Sequence, residues 1–164
     1  MIPIVSIVGK SDAGKTTLIE KLIRELKRRG YRVATIKHDA HQFEIDHPGK
    51  DSYRHFQAGA DWTVIGSPTK LASVRRLTHE LTLDEIAATI TGVDIILTEG
   101  YKREAKNRVE VSRRALTTEL ITLPGELLAL ATDYAIDLGV PVFDLNDAAG
   151  LVDLIERQVL TSPH

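Results

Sequence analysis

The sequence predicts a three-layer α/β fold: a mainly parallel sheet flanked by helices, with an antiparallel hairpin at its edge. Three observations predict it. Residues 4–8 form a short apolar, β-branched run that leads through a glycine-rich loop into a segment of helical period, the opening unit of an open α/β sheet. Later apolar runs each end in polar residues, as strands do when they deliver side chains to a ligand-binding edge. Two further runs lie close together around Gly66-Ser67-Pro68, the spacing of a hairpin. The 164 residues suit a single domain spanning 1–164, and 43% hydrophobic residues suffice for a core.

The first strand is Ile4-Val5-Ser6-Ile7-Val8. In the helix that follows, Leu18, Leu22 and Leu26 share one stripe with Ile19 and Ile23, while Glu20, Lys21, Arg24, Glu25 and Arg28 face away. Between them, Gly9-Lys10-Ser11-Asp12-Ala13-Gly14-Lys15-Thr16 is a complete phosphate-binding loop. Gly9 and Gly14 permit positive φ and close backbone approach, so successive N–H groups can curl round a β-phosphate at the positive helix end. Lys15 is placed to reach the β- and γ-phosphates, and Thr16 to offer its hydroxyl to Mg²⁺. Gly9, Lys10, Ser11, Asp12, Ala13, Gly14, Lys15, Thr16 and Thr17 are the candidate nucleotide-binding set.

Lys27-Arg28-Arg29-Gly30 closes that helix with cations at its negative end, a structural use of charge. Tyr31–Lys37 reads as the second strand, delivering His38, Asp39 and His41 to a loop. A second helix starts near Asp51-Ser52 and runs toward Ala58, and the hairpin strands cover 61–66 and 70–75. Thr82 and Glu85 have capping-box spacing at the start of a short third helix. Val93–Thr98 is a strand ending in Glu99, a carboxylate where such folds organise Mg²⁺ or an attacking water. The stretch 103–125, charged and irregular, is the least readable and is compatible with a flexible loop. Leu127–Thr132 is a strand ending in Asp133, Val140–Phe143 is the last, and Asn146-Asp147 precede a final helix lined by Leu151, Ile155 and Val159.

Composition narrows the chemistry. A formal net charge of −2 gives no global attraction to nucleic acid or anionic membrane. The chain has no cysteine, which removes disulfides, thiolate metal sites and thiol nucleophiles together. No run approaches a membrane span and no signal core is visible, so a cytoplasmic location is expected.

Several residues keep two readings. Asp39 is either a catalytic carboxylate, holding Mg²⁺ through water or orienting a nucleophile, or an ordinary turn aspartate. Glu99 serves Mg²⁺ or its water, or else pairs with Lys37 or Lys102. His38, His41 and His47 are candidates for a transition-metal site, for contact with a bound ligand, or for plain exposure. Lys50, Tyr53, Arg54, Lys102 and Arg103 are either a pocket for an anionic partner or solvated cations. Guanine has no Asn-Lys-X-Asp reader; Asp133 and the Asn146-Asp147 pair are the candidates.

The phosphate loop, Lys37-His38-Asp39-Ala40-His41, Pro48-Gly49-Lys50-Asp51-Ser52-Tyr53, Ala58-Gly59-Ala60, Leu97-Thr98-Glu99-Gly100-Tyr101-Lys102 and Asp144-Leu145-Asn146-Asp147 together resemble the molybdopterin-guanine dinucleotide biosynthesis protein B family. The resemblance runs nearly end to end and implies a P-loop NTPase fold. It also implies GTP and Mg²⁺ as ligands, weak GTPase activity, a homodimer, and a molybdenum cofactor guanylyltransferase as partner, with molybdopterin as a candidate second ligand. Lys10 departs from the family, which commonly has an aromatic or small residue there. It coincides with the lysine that dimeric ATPases send across to the other subunit's nucleotide, but Ser11-Asp12 replace the glycines of that pattern, which favours a solvated lysine. No glutamine or arginine stands out to accelerate hydrolysis, so turnover is expected to be slow. The rival functions are a small-molecule kinase with Asp39 or Glu99 as base, and a metal-delivery GTPase.

Overall fold

A computed structural model describes residues 1–39 and 43–160. Two compact units are present, Met1–His38 with Thr82–His164, and Asp39–Leu81.

The larger unit is built on a six-stranded sheet of β1 (Ile4–Val8), β2 (Val33–Lys37), β5 (Ile95–Glu99), β6 (Arg108–Ser112), β7 (Leu127–Thr132) and β8 (Val142–Asp144). Their order is β2-β5-β1-β6-β7-β8, and every neighbouring pair is parallel. Parallel strands need crossovers, so both faces become covered and strands buried on two sides read as continuous apolar runs. All five residues of β1 are buried.

The pleat divides those residues between two cores. Val5, Ile7, Ile95 and Leu97 pack with Leu18, Leu22 and Leu26 of α1 (Lys15–Arg28) and with Leu151, Val152 and Ile155 of α4 (Ala148–Ile155). Ile4, Ile36 and Ile96 face the other way, onto Leu83 and Ala87 of α3 (Leu83–Ala88). These are the three layers expected. The Thr82–Glu85 capping box is present, with Thr82 Oγ1 accepting from the Glu85 amide at 3.2 Å and the Glu85 carboxylate accepting from the Thr82 amide at 2.8 Å.

Two ionic ties fix element ends. Arg29 bonds Glu25 within α1 and reaches Asp153 and Glu156 beside α4, each at 2.6–2.7 Å, which explains the basic helix end as structural. Arg32 donates its amide and guanidinium to Asp94, holding that carboxyl down to about 2. β2 and β5 each begin just past this clip, two residues later than their sequence patterns suggest.

One strand was not legible. β6 lies in the stretch read as irregular, yet it is the sheet's central partner of β1 and β7. Its buried positions include Glu110, 1% exposed, whose two oxygens accept the amides of Ile121 and Thr122 at 2.8 and 3.0 Å. A charged residue in a central strand masks the apolar signal, and these bonds are what make its burial tolerable.

The second unit holds α2 (Asp51–Gln57) and the hairpin β3 (Trp62–Gly66) and β4 (Leu71–Arg75), paired from Trp62↔Arg75 to Gly66↔Leu71. The hairpin is a two-stranded sheet of its own. Its foot is tied to α2 by Arg76, which donates to the carbonyls of Phe56 and Ala60 and lies 4.2 Å over the Phe56 ring. Among the described residues no helix is long and apolar enough to cross a membrane.

Candidate phosphate-binding site

The C-terminal ends of β1, β5 and β6 meet at the start of α1. Gly9 leaves β1 with φ 147°, and a Cβ there would stand 2.5 Å from the Val111 carbonyl oxygen, so β6 itself excludes any side chain. Gly14 caps α1 in the left-handed region at φ 97° and accepts the Leu18 amide at 3.0 Å. Asp12 also takes positive φ, 60°, in the turn between them. Ser11, Asp12 and Thr17 are exposed and Ala13 is buried, so the loop rests on the core through Ala13 and presents its polar residues outward.

Lys15 folds back onto its own loop, donating to the Lys10 carbonyl at 2.9 Å and the Gly9 carbonyl at 3.4 Å. The ammonium therefore sits inside the loop it would share with a phosphate. Thr16 Oγ1 lies 3.0 Å from both carboxylate oxygens of Glu99. β1 and β5 are in register at Ile7↔Glu99, which is how residues 83 positions apart come together. Lys37 is register partner to Glu99 across β2, yet among the described residues Glu99 pairs with neither Lys37 nor Lys102. Its carboxylate goes to Thr16.

The remaining candidates disperse. Lys10 is not simply solvated: its amine bonds Thr117 Oγ1 at 3.3 Å and Glu119 at 3.4 Å. Asp133, at the end of β7, accepts the Arg114 amide through Oδ1 at 2.8 Å and leaves Oδ2 without a partner among the described residues. Asn146 and Asp147 have structural partners, since Asn146 accepts from Lys21 at 2.7 Å and Asp147 caps α4 through Gly150. His38 packs against Tyr101 in a tilted arrangement, with ring centroids 4.8 Å apart and planes at 57°. His41 lies outside the described residues, His47 is exposed, and among the described residues no three metal-ligating side chains converge. Asp39, exposed, opens the second unit, which also carries Lys50, Tyr53 and Arg54; Lys102 and Arg103 belong to the first.

Arg113, just past β6, was missed by sequence reasoning. A Cβ on Gly14 would lie 3.8 Å from its Nε and 3.9 Å from its Cζ, so the guanidinium stands against the phosphate loop. The alternation Val109-Glu110-Val111 was the signal that could have found its strand.

Comparison with known proteins matches the description "Molybdopterin guanine dinucleotide synthesis protein B" to residues 4–133. The molybdopterin-guanine dinucleotide biosynthesis adapter protein of Haemophilus influenzae is 35% identical over 158 residues, 95% of this chain and 89% of that one. Its counterpart in Escherichia coli is 35% identical over 161 residues, covering 94% and 92%. A crystal structure of molybdopterin-guanine biosynthesis protein B superposes with TM-score 0.73 at 32% identity, covering 94% of this chain and 98% of that one. Bacillus subtilis MobB superposes with TM-score 0.76 at 28% identity, covering 98% and 100%.

Proposed function

Because the chain belongs to the molybdopterin guanine dinucleotide synthesis protein B family, we propose that it is an adapter in molybdenum cofactor guanylation, binding GTP with Mg²⁺ through residues 9–17 beside a guanylyltransferase. The observation that carries the nucleotide reading is the junction of Thr16 and Glu99 at the mouth of the glycine loop that holds Lys15.

The donor set fits a hard divalent cation. A hydroxyl and a carboxylate converge at a helix N-terminus, and Mg²⁺ is ordinarily held by one or two protein oxygens with phosphates and water completing its shell. When bound, the ion neutralises charge on the β- and γ-phosphates. Thr16 and Glu99 are the residues that would hold it, Glu99 directly or through water. Lys15 would exchange its loop carbonyls for phosphate oxygens, and the amides at the start of α1 would face the same charge. Asp133 Oδ2 is the acceptor offered to guanine N–H groups, with Arg114 steadying the other oxygen. Hydrolysis is slow without a partner.

Titration of GTP and ATP, with and without Mg²⁺, tests this reading. Wild-type protein is expected to bind GTP preferentially and to gain affinity from Mg²⁺, while Lys15→Ala loses binding and keeps its melting temperature. Equal affinity of wild type and Lys15→Ala would remove the nucleotide reading. Co-purification of a guanylyltransferase with the wild-type chain tests the adapter role, and absence of any complex at micromolar concentrations counts against it.

A further inference from the structure

We propose that Arg113 is a phosphate-binding residue, completing the phosphate loop from a fixed backbone position at the end of the neighbouring strand. The inference rests on the nucleotide reading of residues 9–17 and adds a residue that no motif in the loop includes.

The position of Arg113 is built. The residue before it, Ser112, is 3% exposed and its hydroxyl bonds both the Thr117 carbonyl, at 3.1 Å, and Tyr134 Oη, at 2.6 Å. The amide of the residue after it is held by Asp133 at 2.8 Å. Its own carbonyl accepts the amides of Leu116 and Thr117 at 3.0 and 2.9 Å, closing a turn. Farther along, the Glu110 carboxylate anchors the returning chain at Ile121 and Thr122. Thus the backbone is fixed before, at and after the arginine.

The side chain is spent differently from the other arginines around the sheet. Arg29, Arg32 and Arg108 each bond a carboxylate, at 2.6–2.7 Å. Arg113 bonds none among the described residues, although its guanidinium stands beside Gly14. Its neighbour Lys10 is drawn off by Thr117 and Glu119 of the same loop, so the arginine is left as a cation with its donors open beside the amides that bind phosphate. A guanidinium is always charged, weakly hydrated and shaped to grip two oxygens at once, which suits it to a phosphate chain. Sitting at Gly14 and being placed by β6, it meets the nucleotide from the side opposite Glu99 on β5, since β6 and β5 flank β1.

The test compares wild type, Arg113→Ala, Arg113→Lys and Lys15→Ala, titrating GTP with Mg²⁺ at two salt concentrations and guanosine by competition. Arg113→Ala is expected to weaken GTP binding by about tenfold or more, to leave guanosine unchanged and to reduce the salt dependence; Arg113→Lys recovers part of the loss. The exposed side chain lets both variants melt with wild type. Unchanged GTP affinity in Arg113→Ala, with Lys15→Ala defective, overturns the inference alone. Equal weakening of GTP and guanosine also overturns it, because a displaced loop would do that. Wild-type protein that fails to bind GTP removes the nucleotide reading and the arginine's role together.

Discussion

Thr16 has one hydroxyl hydrogen and two Glu99 oxygens at equal distance, so the pair is a poised acceptor set rather than a single strong bond. Thr16→Ala should therefore lower GTP affinity in Mg²⁺ to the level seen in chelator, while leaving the Mg²⁺-free value almost unchanged; equal weakening in both conditions would show the hydroxyl serves the loop instead. At Asp133 the free oxygen faces a question of base identity. Replacing it by Asn exchanges an acceptor for a donor, which suits the carbonyl of xanthine better than the amino group of guanine. Asp133→Asn should favour XTP over GTP, and unchanged selectivity would place base reading elsewhere. Glu110 makes a different case, since its carboxylate accepts two amides in a dry interior. Glu110→Gln turns an amide nitrogen toward one of those donors and should cost about 1–3 kcal/mol, read by urea unfolding.

Among the elements, the most legible were those whose cause is local. β1 and α1 follow from a β-branched run and a leucine stripe, α3 from one capping box, and the hairpin from two runs around Gly66-Ser67-Pro68. β6 was hidden because its burial depends on partners eleven and twelve residues away from Glu110, which no local window sees. For the same reason the loop motif disclosed Lys15 and Thr16 but not Arg113, whose place exists only once β6 lies beside β1. The Arg32–Asp94 clip lies just before β2 and β5, and it has a pH consequence. Asp94 is depressed from an ordinary 3.8 to about 2 by the arginine's side-chain and backbone donors. A lowered carboxylate stabilises the fold fully above its unfolded pKa, and that contribution is lost as pH falls through the folded value. Between about pH 4 and pH 2 the melting temperature of Asp94→Asn should thus fall less steeply than wild type; parallel curves would deny the clip a role in acid stability.

At the scale of the whole molecule, the hairpin bears on assembly. Trp62, Val64, Ile65 and Leu71 are 59%, 54%, 46% and 74% exposed, so both faces of the ribbon carry apolar groups to solvent. A two-stranded ribbon covered only by a short helix is marginal in water, and an unprotected edge invites pairing with a second copy. We propose a two-fold dimer through β3 and β4. Light scattering should give a dimer for wild type and a monomer for Val64→Glu; a wild-type monomer at micromolar concentration removes the dimer, and a dimeric variant removes only this surface.

The crowding of Gly9 by Val111 separates two kinds of necessity within one motif. On the nucleotide reading Lys15 and Thr16 answer to a ligand, but Gly9 answers to the carbonyl of an adjacent strand, whether or not anything is bound. A descendant released from nucleotide binding would be free to drift at Lys15 and Thr16 while still compelled to keep the first glycine. The first glycine is thus a fossil of architecture, and a chain that retains it alone has inherited a shape without its chemistry.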